Sequence, residues 1–465
     1  MNKILILHNS APGYSDYFIR LGSILKNKGF SVIHAFSSEC EYEKNKQYIE
    51  DEYYILKTVK SEDIVNKYSH YNLNNALFSD VERATYYSTG FNWSYKDDVD
   101  LLKSSLLSFF EEIISKHKVD YVLYENVSNS FAYYSWFVCQ ELGVRYVGLI
   151  QSRLPRRFSI TSTPLCGCEE MMSSYSLQQN ESIKKEPYID IYLDKFENIQ
   201  PDYMKTNNLS QMNIFKKYKY KGIVDKIKLL VLSTYNSCQG SYQLKNYFNY
   251  YWSIFFRDFK RAYKFKWLSS FYDNPAISEE YYLYPLHFHP ESSTSILASN
   301  FVDELQVIKS IAYNLPSGAC LFVKDHPSAA GYPSLKFYKD LSKIHNVKLI
   351  RPEYDTKNLI KNALAIVTLT STVGYEALLL GKKVFLYGRV FYECHANVYK
   401  VSLSGDLYEI FSDLSLNITG KSLVDYNYSF LCAYYKSTSE GLFNIKDLET
   451  AQVVANSLAI ELLKK

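Results

Sequence analysis

The sequence holds no uncharged apolar run of about 18 residues, the length a helix needs to cross a bilayer, so no transmembrane helix is expected. No export signal is expected either. "MNKILILHNSAPG" has one lysine and then only Ile4 to Leu7 before His8, too short for a signal core and suited to a first β-strand. Cysteine is sparse, with 8 copies in 465 residues, standing singly apart from Cys166-Gly-Cys168. That spelling lacks the second Cys/His pair of a structural zinc site, and scattered thiols without an export signal read as reduced and cytosolic. No short-period repeat and no low-complexity tract is present, so the chain does not read as a solenoid or a fibre.

Charge of one sign is also scarce over the whole chain, at a net +3, but it is unevenly placed. Between residues 213 and 267 there are 12 Lys/Arg against 2 Asp, a local excess of about +10. The remainder is acidic by about 7 charges. Tyrosine is abundant, with 45 copies. Its ring packs and its hydroxyl stays polar, which suits surfaces that meet other molecules, although drift in the source genome's composition explains the excess equally simply. The length favours two or three domains.

Strand and helix patterns alternate at both ends of the chain. "KILIL", "FSVIHAF", "VDYVLYE" and "VRYVGLI" read as strands separated by amphipathic helices, a βαβ series that implies a parallel sheet. Residues 40–97 are polar and rich in Tyr and Asn, and their pattern gives no clear order. From about Ser152 to Ser278 the alternation stops. It resumes with "YYLYPL", "CLFVKDHP", "VKLI", "AIVTLT" and "KKVFLYG", and the chain closes on a helical "DLETAQVVANSLAIELLKK". The expected architecture is α/β, with two Rossmann-like doubly wound domains facing a cleft. The expected divisions are 1–165 for an N-terminal acceptor domain, 166–278 for a basic, aromatic, partly helical connector, 279–440 for a C-terminal nucleotide-sugar domain and 441–465 for a last helix.

In open parallel sheets ligands bind beyond the carboxyl ends of the strands, so the polar groups there are the candidates. In the N-terminal half these are Asp16, in the loop after "KILIL", and Glu125, after "VDYVLY". Either carboxylate could act as a general base; a salt bridge is the plain alternative for Glu125. Arg153, Arg156 and Arg157 follow "VRYVGLIQS" and suit an anionic substrate or a solvated basic loop. In the C-terminal half "HFHPESST" carries His287, His289, Glu291 and Ser292, and "KDHPSAAG" carries Lys324 and His326. Lys324 and His326, presented at the end of "CLFV", share a face because they are two apart, which sends Asp325 the other way. In "TSTVGYEALLLG", Ser371 and Thr372 open a helix, where a hydroxyl caps a free N–H and the helix end attracts an anion. A nearby Gly374 favours close approach of a ligand.

"YPLHFHPESST", "LFVKDHPSAAG" and "AIVTLTSTVGYEALLLGKKVFLYG" together resemble the capsule polysaccharide biosynthesis family of bacterial glycosyltransferases, which includes the β-Kdo transferases and is similar in layout to bacterial sialyltransferases. The resemblance covers roughly residues 280–395. It implies a GT-B fold whose C-terminal half holds a CMP-activated sugar acid, Kdo or a related nonulosonate, for transfer to a capsule- or lipopolysaccharide-type acceptor. His326, Ser371 and Thr372 match the positions that meet the donor phosphate, and Glu376 matches the acidic residue that follows. His289, Glu291, Ser292 and Lys324 join them as donor-binding candidates, and Arg153 and Arg156 as substrate-binding ones. The family's N-terminal carboxylate motif is not clearly matched, so Glu125 and Asp16 rest on strand-end position. The resemblance also implies that no metal or cofactor is needed. The nearest Asp-x-Asp spelling, Asp98 to Asp100, opens a helix instead of ending a strand. A lipid-linked acceptor would place the chain in the cytoplasm, touching the inner membrane through 213–267, unless that segment is only a cationic connector packed by its aromatics. Nucleic acid would tolerate the same composition but has no use for the strand-end groups. Rival readings are a UDP- or GDP-sugar donor, CDP-glycerol, or a non-catalytic capsule-assembly scaffold.

Overall fold

The computed structural model describes residues 1–9, 11, 13–87, 97–126, 128–164, 171, 185–199, 242–243, 247–275, 278–402, 405–418 and 422–464. Most of the basic stretch expected to contact a membrane, 213–241, lies outside them.

The N-terminal half builds one sheet of seven strands in the order β13-β6-β5-β4-β1-β2-β3. Its parallel members are β1 (Lys3–His8), β2 (Ser31–Phe36), β3 (Glu52–Ile55), β4 (Tyr121–Glu125) and β5 (Arg145–Gln151). β1 is buried from Ile4 to His8, so its apolar run fits a sheet covered on both faces. The covering helices include α1 (Tyr14–Asn27), α2 (Leu73–Tyr87), α3 (Asp97–His117) and α4 (Ser130–Leu142). β3 and α2 both arise from the stretch whose sequence gave no clear order. At the other edge β6 (Arg157–Thr161) runs antiparallel to β5.

The C-terminal half is an all-parallel sheet of six strands, β12-β11-β10-β7-β8-β9. These are β7 (Tyr281–Pro285), β8 (Cys320–Lys324), β9 (Val347–Ile350), β10 (Ala365–Thr368), β11 (Lys383–Leu386) and β12 (Val398–Lys400). Separate apolar clusters cover its two faces. One of them takes in Ile189, Tyr192 and Phe196 of the segment around α5 (Pro187–Lys195). α6 (Tyr247–Leu268), α7 (Glu304–Tyr313) and α8 (Thr372–Leu379) complete the elements that shape the cleft on this side. Two doubly wound sheets facing each other make this a GT-B fold.

After α9 (Leu423–Lys436) the chain returns to the first half. β13 (Thr438–Glu440) pairs antiparallel with β6, and α10 (Thr450–Leu463) packs on α1 and joins the first core through Val454, Leu458 and Leu462. The expected division at residue 440 is therefore corrected: residues 438–440 belong to the N-terminal sheet.

Gly374 has a packing reason in place of the expected ligand reason. It sits in α8 against Tyr392, and a Cβ there would stand 2.8 Å from the ring carbon Cζ. Tyr392 is buried and donates from its hydroxyl to the Ser371 carbonyl, so the ring has little room to yield. Gly374→Ala should lower stability, because overpacking of about 1–3 kcal/mol exceeds the roughly 1 kcal/mol gain in helix propensity. Urea denaturation checks this; an unchanged or higher midpoint would mean that the Tyr392 ring gives way.

Candidate functional site

The carboxyl ends of the two sheets meet through α2. Glu82 Oε1 lies 2.7 Å from His289 Nε2, and Glu82 Oε2 accepts from Ser295 Oγ at 2.9 Å. His289 Nδ1 is 2.8 Å from Thr294 Oγ1 in the single turn Ser292–Ser295. Burial opposes ionisation of Glu82, but hydrogen bonds from His289 and Ser295 with the Arg83 charge outweigh it and hold its pKa below the usual carboxylate value. Arg83 donates to the Ser128 carbonyl at 3.1 Å and lies 4.0 Å from Asp80. Its charge also acts on Glu125 and on Glu291, one from each half. Neither Glu82 nor Arg83 was a candidate from sequence. The helical spacing of apolar Leu73, Leu77 and Ala84 in "LNNALFSDVERATYY" is the signal that would have found their helix.

Glu125 ends β4, half-buried, and accepts from Ser128 Oγ at 2.5 Å. Burial raises its pKa, while hydrogen bonds from Ser128 and Tyr14 and the charge of Arg83 pull the other way. Tyr14 opens α1 and turns toward Glu125. Asp16, the alternative base, is exposed two positions on, about 200° around the helix from Tyr14. The geometry therefore separates the two candidate carboxylates.

On the facing sheet, His287 ties the loop after β7 to the end of β10. Its Nε2 accepts from the Thr370 N–H at 3.1 Å, so the ring proton is on Nδ1, which faces Glu304 Oε1 at 2.8 Å. The junction leads into α8. Ser371 caps that helix, its Oγ accepting from the Val373 N–H at 3.2 Å, and its own N–H is held by Thr368 Oγ1 at 3.0 Å. The Gly374 N–H is taken by the Ser371 carbonyl at 3.1 Å. The helix start is thus partly self-satisfied, and an anion there would compete with Ser371 Oγ.

His326 follows β8 with its ring parallel to that of Phe288. Its Nδ1 accepts from the Ser328 N–H at 3.1 Å, which leaves the proton on Nε2. Burial, together with the charges of Lys324 and Arg261, lowers its pKa to about 4. The ring is accordingly neutral at pH 7 and offers one N–H donor. β7 lies between β8 and β10, so His326 and Ser371 are two strands apart.

Thr372, Glu376 and Arg153 come together around one small cavity with Lys357, Tyr192 and Tyr375. Arg153 reaches it from the β5–β6 turn, whose backbone is fixed by the Tyr434 hydroxyl at 2.9 Å from the Arg153 N–H. Lys357 donates to the carbonyls of Phe196, Glu197 and Ile199, beyond the end of α5. Burial raises the Glu376 pKa, with Lys357 and Arg153 opposing.

Other candidates stand elsewhere. Lys324 is corrected: its buried amine donates to the Pro352 carbonyl at 3.0 Å, past β9 and away from β10, and burial lowers its pKa to about 8. β8 stops at Lys324, so the face-sharing argument for it and His326 fails. Asp325 anchors the loop instead, accepting from Tyr272 at 2.6 Å, Tyr338 at 3.1 Å and the His326 N–H at 2.8 Å. Arg156 is exposed at the turn tip with φ 57°. Arg157 serves the fold, donating to Thr438 Oγ1 at 2.6 Å. Glu291 is exposed near Arg83, and Ser292 opens its turn with a side chain outside the described residues.

The neutral state of His326 is open to direct measurement. Its ring resonance should stay flat from about pH 8 to about pH 5, where a solvated imidazole titrates near 6.5. The folded value lies below the unfolded one, so the stability this group contributes is present above about 6.5 and lost as pH falls toward about 4. A midpoint near 6.5 in the NMR titration would show an open, solvated ring instead.

Residues 188–397 match the model of the family described as capsule polysaccharide biosynthesis protein. No curated protein matches the chain in sequence. Among solved structures, the Thermosulfurimonas dismutans KpsC β-Kdo 2,7 transferase is 13% identical, with 77% of this chain and 90% of that chain covered and a TM-score of 0.35. The β-Kdo 2,4 transferase of the same KpsC is 16% identical, with coverages of 73% and 87% and a TM-score of 0.36. S. aureus MnaA with UDP is 12% identical, with coverages of 100% and 97% and a TM-score of 0.29. The likeness to that family rests on the sequence match, and the fold on the two facing sheets. Residues 188–397, which hold β7 to β11 with α8 and make up less than half of the chain, are similar to the capsule polysaccharide biosynthesis family, within a chain of GT-B fold.

Proposed function

We propose that the protein transfers a sugar acid, Kdo or a related nonulosonate, from a CMP-activated donor to a capsule- or lipopolysaccharide-type acceptor at the cytosolic face of the inner membrane. The observation that carries this reading is the meeting of the two sheets at Glu82 and His289, with Glu125 on one side of the cleft and His326 and the α8 start on the other.

In this reading Glu125 takes the proton of the acceptor hydroxyl. Its raised pKa makes it a stronger base than a solvated carboxylate, which suits proton abstraction near neutrality. The acceptor oxygen forms the new bond to the anomeric carbon. The bond from that carbon to the CMP phosphate oxygen breaks, and its electron pair leaves with CMP. His326 Nε2–H, Ser371 and Thr372 donate to the departing phosphate, and the α8 dipole favours its charge. These donors take the place of a metal ion. Arg153 and Glu376 line the small cavity beside Thr372, next to the departing phosphate. If configuration is retained, Glu125 is the nucleophile and forms the first bond itself.

Glu125→Gln should lower kcat by about 10²–10⁴-fold, with CMP affinity by calorimetry within about twofold of wild type, because the side chain lies on the acceptor half. Ser371→Ala and His326→Ala should weaken CMP binding itself, each by roughly tenfold, the size of one charge-assisted hydrogen bond. Turnover is measured with CMP-Kdo and with UDP-, GDP- and CDP-linked donors. Turnover of another donor alone would replace the CMP assignment; no turnover of any donor would favour a scaffold. Wild-type CMP affinity in both alanine variants would remove the phosphate site from the α8 start.

A further inference from the structure

We propose that α6 is an interfacial helix that lays one edge on an anionic lipid surface while its other edge holds the loop after His326. The outer edge consists of Trp252, Phe256, Phe259, Tyr263 and Trp267, exposed by 45%, 40%, 59%, 61% and 57%. At about 100° per residue these positions fall within an arc of about 80°, a single stripe about 22 Å long. Lys260 and Lys266, both exposed, stand just outside its two margins.

The opposite edge is buried. Arg261 is 5% exposed, and its Nε donates to the Ala330 carbonyl at 2.6 Å. Its guanidinium also reaches the Pro327 carbonyl at 3.3 Å and lies 4.3 Å from the Tyr332 ring. Lys264 donates to the Pro333 carbonyl at 3.3 Å, and Leu268 is fully buried. The helix is therefore anchored to the 327–333 loop and cannot turn its aromatic edge inward without breaking those bonds.

The chemistry of the outer edge favours a bilayer surface over a protein partner. Indole and phenol rings with apolar bodies and polar tips settle at the headgroup level, and lysines beside them meet lipid phosphates. Over Tyr247–Leu268 five cations face one carboxylate, which favours an anionic surface. No helix of the described residues is long and apolar enough to cross a membrane, so the helix lies in the plane of the interface. This inference goes beyond the transferase reading and does not depend on it, because it needs no donor and no turnover.

The test is co-sedimentation of the full chain with vesicles of phosphatidylethanolamine and phosphatidylglycerol, against phosphatidylcholine vesicles. Wild type should bind the anionic vesicles, less strongly as salt rises. Phe259→Ser with Trp267→Ser should lose roughly tenfold in affinity. Lys260→Gln with Lys266→Gln should lose roughly thirtyfold, from about 1 kcal/mol per cation at the surface. All four positions are exposed, so both variants should keep the wild-type thermal midpoint. Wild type that stays in solution, or variants that bind as wild type does, would overturn the proposal. So would unchanged vesicle binding with a dimer that the serine variant splits in light scattering, since the stripe would then join two copies of this chain.

Discussion

Glu82 reaches from α2 to His289 at 2.7 Å and to Ser295 at 2.9 Å, and these bonds fix the loop after β7 of one sheet to a helix of the other. The remaining cleft geometry follows from that attachment. His287 precedes His289 by two residues, and its ring holds the Thr370 N–H where β10 passes into α8. Through this chain of contacts α2 sets where the α8 start stands relative to Glu125. Two parallel sheets deliver polar groups to their carboxyl ends by topology alone. Only a cross-cleft contact of this kind turns two separate edges into one site.

Charge is distributed to match. The N-terminal edge carries carboxylates, Glu125, Glu82 and Asp80, gathered around Arg83. The opposite edge presents neutral donors: the His326 ring, two hydroxyls and a helix start. A neutral donor is cheaper to bury than a cation, which suits the half-buried position of His326. An arriving phosphate would raise its proton affinity, because an anion beside an imidazole favours the charged ring.

The strands at the centre of both sheets were legible because parallel strands covered on two faces read as plain apolar runs. β1, β2, β4, β7, β8, β10 and β11 all fall where those runs lie. The edges were not legible. β13 is three residues long and pairs with a strand about 280 positions earlier, a relation no local pattern contains. At the site, Ser371 was readable as a cap because capping is local. Arg83 was not, since its meaning comes from carboxylates on two other segments, and its helix lies in a stretch whose polar residues mask the apolar spacing. Lys324 misled for a related reason: side-chain parity holds only while a strand lasts, and β8 ends on that residue.

Tyrosine, ambiguous in the composition, separates into two uses once its surroundings are known. Tyr281 donates to the Leu359 carbonyl at 2.7 Å, Tyr121 to Leu462 at 3.0 Å and Tyr134 to Leu73 at 3.1 Å, each ring buried in a core. Such a residue fills apolar volume and also satisfies a carbonyl that helix ends and loops leave open. It pins a neighbouring element at a fixed depth, which a phenylalanine of the same size would not do. Tyr263 on α6 is the contrary case, since most of its ring faces outward in line with two tryptophans and two phenylalanines. The excess of one residue type therefore carries no single meaning. Burial with a carbonyl partner marks tyrosines that hold this fold together, and exposure in line with other rings sets Tyr263 apart from them.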